Sequence, residues 1–345
     1  MKKNVWKKGI VVLMAAMTAV MLTACAGAKD DGGSAESKKD ENGLKTVNIA
    51  SPGQHNLPTE NALLAKELGY VDEEMEKAGY KVEYKGFAQA GPAINEALAA
   101  KEVDIAVYNE LPALTAKSNG IDLKIVAVST SEYNYALFAG KDSGIESVKD
   151  LEGKKVIVTP GTILYKYFID LCDENGVDSS KVEQINALAD ANSVITSGEA
   201  DAYVCAYESA IMLEDKGIGK MIANTTTNLD ESTGIGVTCR VDYLEKEPEA
   251  VKAYIRALKR ANEYAAENVE DVYAKLVTES NTEDVLRKKY EYDTSFSFFT
   301  PSFSDEYIKR VQTQYDFALE HDMLAGEFSL DDLLDSTYVD EVMAE

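Results

Sequence analysis

Histidine, tryptophan and cysteine are all scarce in this 345-residue chain, which contains two, one and four of them respectively. Three of the cysteines, Cys172, Cys205 and Cys239, are widely spaced and odd in number, so neither a disulfide framework nor a CxxC metal pattern is evident. A His-rich metal site is not expected, while a cation site made of carboxylates stays open. The sequence therefore predicts no metal and no cofactor.

Positive charge is also in short supply. The chain has 35 Lys and Arg residues against 60 Asp and Glu, a net charge of −25. Nucleic-acid binding usually requires a basic stripe or patch, so a nucleic-acid partner is not predicted. A small anionic ligand remains possible because backbone N–H dipoles can outweigh a distant field, although such a field will not steer the ligand in.

One long apolar run occurs, and it lies at the N-terminus. Four lysines within the first eight residues precede the stretch from Gly9 to Leu22. This stretch is shorter than the roughly 20 residues of a bilayer span and fits a secretory signal better. It ends in Leu22-Thr23-Ala24-Cys25, which matches the bacterial lipobox. The pattern predicts a signal peptide over residues 1–24 and lipidation of Cys25; the alternative is an ordinary secretory signal with a chance Cys.

Residues 25–44 are rich in Gly, Ser and charge, which is typical of a flexible tether. A tether behind a lipidated Cys25 would hold the folded part at the extracytoplasmic face of the cell membrane. Loss of residues 1–24 removes four lysines and leaves 31 basic against 60 acidic residues, a net charge near −29. The sequence leaves open whether the cell has one membrane or two.

From Lys45 onward, short β-rich runs alternate with helical patterns, and helical patterns dominate after about residue 240. This order predicts βαβ units with mostly parallel sheets, an α/β fold. The segment Lys101–Val107 closes a helix and opens a strand, with Glu110 soon after, and Gly198–Val204 does the same ahead of Glu208. The repetition of this pattern favours two similar lobes, although such segments are also common wherever an acidic helix end precedes a strand.

Several segments in this order resemble the solute-binding proteins of aliphatic-sulfonate, taurine and nitrate-type ABC importers. The carrying segments are FAQAGPAINEALAAKEVDIAVYNELPAL, FAGKDSGIESVKDLEGKKVIVTPGT and SGEADAYVCAYESA. The resemblance implies a type II periplasmic-binding-protein fold with two crossover strands, near Ser131–Tyr135 and Asp230–Ile235. It also implies a first lobe of residues 45–132 plus 236–345 and a second of residues 133–235. A small-molecule ligand in the cleft, an ABC permease with its ATPase, and a monomeric state follow from it.

Ligands of open α/β sheets bind beyond the carboxyl ends of the strands, beside helix N-termini. That rule selects residues in five loops as ligand-binding candidates: Gln54, His55, Ala90, Gly91, Tyr108, Asn109, Glu110, Tyr133, Gly161, Thr162, Tyr207 and Glu208. Gly161, Thr162 and Gly91 would hold an oxyanion with N–H and hydroxyl groups. A P-loop is excluded at Pro160-Gly161-Thr162, because no GK[ST] follows there; a plain loop with a capping Thr is the alternative.

The ligand itself is left between alternatives. Sulfonate binders resemble DAW-V-x-W-D-P where this chain has Asp201–Ser209, so the aromatic wall is altered and Glu208, with Glu110 similarly placed, can bring a carboxylate to the cleft. A sulfonate or taurine comes first, and a nitrogenous heterocycle such as a thiamine pyrimidine precursor second; each Glu is otherwise a carboxylate at the rim. A catalytic pair of Cys205 and His55 is not supported, so no enzyme is predicted. A sensing lipoprotein without a transporter stays open.

Overall fold

The computed structural model describes residues 40–227, 232–279 and 281–345. The predicted signal peptide, the lipidation of Cys25 and most of the tether lie outside the described residues. So do Asp230 and Glu231 at the start of the predicted second crossover. The last tether residues form a turn in which the Asp40 carboxylate accepts hydrogen bonds from the N–H groups of Asn42 and Leu44, both 2.9 Å long.

Ten strands and thirteen α-helices make up the described chain. The strands are β1 (Lys45–Pro52), β2 (Tyr80–Phe87), β3 (Ile105–Tyr108), β4 (Leu123–Tyr133), β5 (Tyr135–Gly140), β6 (Lys155–Ile157), β7 (Glu183–Ile185), β8 (Ala202–Ala206), β9 (Gly219–Asn224) and β10 (Thr233–Arg240). The helices are α1 (Glu60–Glu67), α2 (Tyr70–Lys77), α3 (Ala90–Ala99), α4 (Glu110–Ser118), α5 (Ile163–Asn175), α6 (Ala191–Ser197), α7 (Tyr207–Asp215), α8 (Val241–Lys246), α9 (Pro248–Glu267), α10 (Val269–Leu276), α11 (Glu283–Lys289), α12 (Asp305–Glu320) and α13 (Thr337–Met343).

The strands form two five-stranded sheets with the same internal order. The first sheet is β2-β1-β3-β10-β4, and the second is β7-β6-β8-β5-β9. In each, one strand is antiparallel to its two neighbours, β10 in the first sheet and β5 in the second. The mostly parallel α/β fold and the two lobes that the sequence predicts are confirmed by this arrangement. Lobe 1 is used below for the first sheet with its helices, and lobe 2 for the second.

Within the residues that the structure describes, the chain leaves lobe 1 for lobe 2 once and returns once. The strand β4 ends at Tyr133 in the first sheet and β5 begins at Tyr135 in the second, so the first passage takes a single residue, Asn134. The return is made through β10, which begins at Thr233. Both lobes belong to one compact unit.

The long C-terminal part covers lobe 1. The helix α9 packs against α1, α2 and α13, and its buried face includes Val251, Tyr254, Ile255 and Leu258, the apolar positions that predict an amphipathic helix. In the described residues, none of the helices is long and apolar enough to cross a membrane.

Parallel strands bring their carboxyl ends to one edge of each sheet, and this is what positions the site. In lobe 1 the loops after β1, β2 and β3 lead into α1, α3 and α4. In lobe 2 the turns after β6 and β8 lead into α5 and α7. Five helices therefore begin at the strand ends, where sheets of this class bind their ligands.

Candidate functional site

A cavity of about 310 Å³ lies between the two lobes at these strand ends. Its walls come from both lobes: Pro52, Gly53, Gln54, Thr59, Ala88, Ala90, Gly91, Tyr108, Asn109, Pro112, Tyr133, Tyr135, Thr162, Ile163, Leu164, Leu188, Ala189, Tyr203, Ala206, Glu208, Ser209, Ile235 and Asn281. The volume is at the small end of ligand pockets, which span roughly 300–1,000 Å³. The cavity thus suits a small solute.

Four helices present their first residues to this cavity. They are α3 and α4 from lobe 1 and α5 and α7 from lobe 2, represented in the lining by Gly91, Asn109, Thr162 and Glu208. In the described structure none of the four has a side-chain hydrogen bond from its N-cap residue to the first turn. Uncapped N–H groups and the positive ends of helix dipoles favour an anion at α3 and α5, whereas the first turns of α4 and α7 contain carboxylates of their own, Glu110 and Glu208.

The starts of α3 and α5 face each other from opposite lobes. A Cβ atom on Gly161, just before α5, would lie 3.5 Å from Cγ of Pro92 in α3. Gly161 has a φ of +78°, which only glycine adopts without strain. Gly91 is more confined, because a Cβ there would come within 2.3 Å of Cγ of Pro112. Gly161 is thus required by its backbone conformation, and Gly91 by the close packing of α3 against α4.

Thr162 differs in one respect from what the sequence predicts. Its hydroxyl group donates a 2.7 Å hydrogen bond to the carbonyl oxygen of Thr159 within the turn. That bond uses the hydroxyl hydrogen, so the side chain donates within the turn and leaves the backbone N–H groups of α5 as the donors at this end. The turn itself is stabilised by the same bond.

Tyrosines supply most of the aromatic surface, namely Tyr108, Tyr133, Tyr135 and Tyr203. The rings of Tyr133 and Tyr135 pack edge to face with their centroids 5.5 Å apart. Burial raises the pKa of both hydroxyl groups well above the usual value, so they stay protonated and donate hydrogen bonds. Asn109 ties the lobes together here, since its amide donates to the Tyr135 hydroxyl (3.0 Å) in lobe 2.

The charged part of the lining is confined to one side chain: of the described residues that line this cavity, only Glu208 carries a charge. Oε1 of Glu208 accepts a hydrogen bond of 3.1 Å from the Tyr133 hydroxyl. Its Oε2 lies 3.1 Å from Nζ of Lys289, which is also 2.5 Å from Oε1 of Glu60. Tyr290 donates from its hydroxyl to the other oxygen of Glu60. We call Glu60, Lys289 and Glu208 the buried triad.

The buried triad joins the two lobes. Glu60 begins α1 and Lys289 ends α11 in lobe 1, whereas Glu208 lies in α7 of lobe 2. All three residues are more than nine-tenths buried. Burial by itself would lower the pKa of Lys289, but the nearby carboxylates of Glu208 and Glu60 outweigh it and raise that pKa above its ordinary value. Lys289 is therefore charged, and it also lies 5.1 Å from the ring centroid of Tyr133.

A smaller cavity of about 160 Å³ adjoins the first. The two share six lining residues, and the second also contacts His55, Glu60, Lys289 and Tyr290. The shared residues are Pro52, Gly53, Gln54, Thr59, Glu208 and Asn281. Glu208 thus stands between two compartments of the interlobe space.

Glu110 is placed differently from Glu208, although both follow a strand at the start of a helix. It is fully buried in lobe 1, beside Tyr307, and accepts a 3.1 Å hydrogen bond from the side-chain amide of Gln314. Burial raises its pKa, and the bonds from Gln314 and Tyr307 and the charge of Arg310 only partly oppose the rise. Glu110 therefore does not face the cavity.

Eight of the twelve predicted site residues line the main cavity together: Gln54, Ala90, Gly91, Tyr108, Asn109, Tyr133, Thr162 and Glu208. The other four lie close by without lining it. His55 borders the smaller cavity, Glu110 is in the core of lobe 1, and Gly161 and Tyr207 each precede a lining residue in the chain. Gln54 also bridges the lobes, donating to the carbonyl oxygen of Ala189 at 2.6 Å.

Some lining residues were not anticipated. Thr59 lies just before α1 and Asn281 lies before α11, and the sequence does not indicate that these two helices reach the cleft. Lys289 follows Glu60 by 229 positions, so no local pattern connects these two residues. Tyr135 and Tyr203 do have a signal, since both lie on predicted strands at the cleft edge.

The possible catalytic pair is not assembled. Cys205 is fully buried in the core of lobe 2, and burial raises the pKa of its thiol, which disfavours the nucleophilic thiolate. His55 borders the smaller cavity, whose lining does not include Cys205. Among the described residues, no group of three or more His, Cys, Asp or Glu side chains is placed to hold a metal ion.

Two lobes of identical strand order with a cavity between them define the periplasmic-binding-protein fold. The chain belongs to the NMT1/THI5-like family, whose model matches residues 59–271. A solved structure that shares the fold is the periplasmic sulfonate-binding protein SsuA of Methylobacillus flagellatus KT. It aligns with a TM-score of 0.72 and 25% identity, over 88% of this chain and 94% of that one.

Three relatives carry names for different ligands or activities. A protein of Bacillus subtilis (strain 168) whose name assigns it to aliphatic-sulfonate binding is 27% identical over 98% of both chains. The arginine-binding extracellular protein ArtP of the same organism is 31% identical over 57% of this chain and 72% of its own. The 4-amino-5-hydroxymethyl-2-methylpyrimidine phosphate synthase of Legionella pneumophila is 25% identical over 61% of this chain and 66% of its own.

Proposed function

We propose that this chain is the solute-binding component of an ABC importer, which captures a small organic anion, an aliphatic sulfonate or a taurine-like compound, in the interlobe cavity and delivers it to a membrane permease. It acts as a binder and not as an enzyme. Closure of the lobes over the ligand is the state that a permease with its ATPase recognises. The full-length similarity to the sulfonate binder of Bacillus subtilis supports this role.

The observation that carries the proposal is that α3 and α5, from opposite lobes, begin at one cavity without a side-chain cap and without an acidic residue in their first turns. Each helix end stabilises an anion by about 0.3–1 kcal/mol, and up to about 2 when partly buried. Each hydrogen bond to a charged group adds about 1.5–3 kcal/mol. Together they reach the roughly −8 kcal/mol of a micromolar complex after association costs.

The ligand-binding residues in this proposal are the eight predicted residues that line the cavity, joined by Thr59, Tyr135 and Tyr203. Gly161 supports them by setting the start of α5. Lipidation of Cys25 would hold the protein, as a monomer, at the extracytoplasmic face of the membrane. Cys25→Ser is expected to release the protein from the membrane fraction into the soluble fraction of cells, and retention of the variant in the membrane would contradict the anchor.

A nitrogenous heterocycle is the second candidate ligand. The tyrosine walls and the carboxylate of Glu208 suit a flat ring with N–H donors. The similarity to the pyrimidine phosphate synthase of Legionella pneumophila agrees with that chemistry. A ligand-sensing surface lipoprotein without a transporter would use the same cavity, and co-purification of a permease with its ATPase would distinguish the two roles.

Isothermal calorimetry on the chain lacking residues 1–24 tests the proposed function. The panel contains ethanesulfonate, taurine, nitrate, sulfate, arginine and an aminopyrimidine. Saturable binding of a sulfonate supports the proposal. Binding of the aminopyrimidine alone, or of none of the compounds, would overturn the sulfonate assignment.

A matched pair of glycine variants tests whether the anion sits at the helix starts. Gly161 and Gly153 share a φ of +78°, but only Gly161 adjoins the cavity; a Cβ on Gly153 would meet nothing within 4 Å. Alanine strains both turns alike. Gly161→Ala is expected to weaken sulfonate binding severalfold, while Gly153→Ala leaves it unchanged. Equal affinities for the two variants would contradict the placement.

A further inference from the structure

The helix α11 connects the two lobes. It belongs to lobe 1, where it packs against α10 and where Leu286 is part of the same core as the buried face of α9. It also lies on α7 of lobe 2, and among the described helices and strands this is the most extensive contact between the lobes. Of the described helices, α11 is therefore the one whose contacts would change most if the lobes separated.

Two consecutive lysines at the end of α11 form ion pairs with the two ends of α7. Nζ of Lys289 lies 3.1 Å from Oε2 of Glu208 in the first turn of α7, and Nζ of Lys288 lies 2.5 Å from Oδ1 of Asp215, its last residue. Both residues of the inner pair are more than nine-tenths buried. The side chains of the outer pair are 51% and 43% exposed, so water and salt weaken that pair far more.

The buried triad is divided between the lobes. Glu60 and Lys289 both belong to lobe 1 and would stay paired if the lobes separated. Glu208 would instead exchange Lys289 and the hydroxyl group of Tyr133 for water. The attraction within a buried ion pair is largely offset by the cost of removing both charges from water. A contact of this kind can hold the lobes together and still be broken reversibly.

We infer that α11 is a strap that fastens lobe 2 to lobe 1, and that Lys289 is the positioning residue that sets how often the lobes separate. Lys289 acts through Glu208 and does not line the main cavity. A ligand reaches a cavity between two lobes when they separate, so the strap governs its entry and release. That consequence rests on the proposed function, whereas the fastening of the lobes does not depend on which ligand the cavity takes.

Thiol labelling without any ligand measures the separation of the lobes. The chain lacks residues 1–24 and carries Cys25→Ser, so that no thiol remains in the tether. Ile163→Cys places a reporter thiol at the start of α5, at a position that lines the cavity and is 4% exposed. A poly(ethylene glycol) maleimide is too bulky for a cavity of about 310 Å³, so it reaches the reporter when the lobes separate. Cys172, fully buried on the same helix, is the internal control for unfolding of lobe 2.

Two substitutions within the triad are expected to change the labelling rate in opposite directions. Glu208→Gln removes the ion pair between the lobes and leaves Glu60 and Lys289 as a balanced pair, so labelling of the reporter should accelerate about tenfold. Glu60→Gln leaves Glu208 as the remaining carboxylate partner of Lys289 in the triad. Separation of the lobes would then strand the ammonium group, so labelling should slow severalfold. A triad that only fills space predicts faster labelling in both variants.

A matched control and the outer pair complete the set of variants. Glu247 accepts hydrogen bonds from Lys45 and Tyr80, again a lysine and a tyrosine, but within lobe 1. Glu247→Gln should therefore leave the labelling rate unchanged. Asp215→Asn breaks the outer pair and should accelerate labelling by no more than about fivefold at low salt, with no effect in about 1 M salt.

The outcomes decide between the strap and its alternatives. Equal labelling rates in Glu208→Gln, Glu60→Gln and the unmodified chain would overturn the strap. A parallel rise in the labelling of Cys172 would also overturn it, because the effect would then come from unfolding. If Glu208→Gln does not fold, Glu60→Gln decides alone: slower labelling supports the strap, and unchanged or faster labelling contradicts it. A failure of every sulfonate to bind would overturn the proposed function and leave the strap standing on the labelling rates.

Discussion

The two lobes use one sequence pattern at the cleft and reach different chemistry. In lobe 1, β3 ends at Tyr108 and Glu110 begins α4; in lobe 2, β8 ends at Ala206 and Glu208 lies in the first turn of α7. Each carboxylate is buried. Glu110 is bonded to neutral groups and its pKa is raised, whereas Glu208 forms an ion pair across the lobes with Lys289 and still lines the cavity.

The difference shows that the partners of a carboxylate, and not its position after a strand, decide its role. At Glu110 the neighbours Gln314 and Tyr307 come from α12, which packs on α4 within the same lobe. At Glu208 the partner comes from α11 of the other lobe. Glu110 is therefore part of the core of one lobe, whereas the contacts of Glu208 depend on how the two lobes pack against each other.

The largest expected effect comes from breaking the triad. Lys289→Met leaves two buried carboxylates without a cation and should lower the free energy of unfolding by about 3–5 kcal/mol, measured by urea denaturation. Lys45→Met, which breaks a more exposed pair with Glu247, should cost no more than about 1 kcal/mol. Combining Lys289→Met with Glu60→Gln and Glu208→Gln removes the unpaired carboxylates as well and should recover most of the lost free energy of unfolding. A cost below about 1 kcal/mol for Lys289→Met would show that the triad is not held as described.

A smaller effect is expected at the packing that sets the start of α3. Gly91→Ala places a Cβ within 2.3 Å of Cγ of Pro112, so α3 and α4 must move apart. Such overpacking typically costs about 1–3 kcal/mol of unfolding free energy, and anion affinity should fall with it. Gly326→Ala is the control, because its Cβ would meet nothing within 4 Å. Equal stabilities of the two variants would argue against the tight junction.

The smallest effect is expected at Glu110 and depends on pH. Because burial raises its pKa, the folded state holds the proton more tightly than the unfolded state does. Its contribution to stability is full below the ordinary pKa of 4.5 and is lost as the pH rises through the raised value. Position 110 does not titrate in Glu110→Gln, so the stability of this variant relative to the unmodified chain should rise as the pH increases from 4.5 to the raised value and stay constant above it.

Urea denaturation from about pH 4 to about pH 8 measures this difference. A gap between the two chains that stays constant over the range would mean that Glu110 is not held protonated by its surroundings. Glu110, unlike Glu208, does not line the cavity. The affinity of Glu110→Gln for taurine should therefore equal that of the unmodified chain.

Much of the architecture could be predicted from the sequence because its signals are local. Alternating β-rich and helical runs indicate the α/β lobes, and Pro160-Gly161-Thr162 marks the turn into α5. The start of α3 at Ala90-Gly91 is equally local. These signals depend on residues a few positions apart, so the strand ends and the helix starts at the cleft follow from them.

The charge pattern of the site could not be predicted in the same way. Glu110 and Glu208 look equivalent in the sequence, and only the packing of α11 and α12 separates them. Lys289 reaches Glu60 across 229 positions and lies on a short helix with no pattern that marks it as buried. Contacts of such separation depend on how the two lobes and the C-terminal helices assemble, which no local signal encodes.

A crystal structure of the protein with taurine bound tests the anion site between the lobes most directly. The account predicts sulfonate oxygens within hydrogen-bonding distance of backbone N–H groups at the starts of α3 and α5. A sulfonate group held away from both helix starts, or a ligand outside the cavity between the lobes, would contradict it.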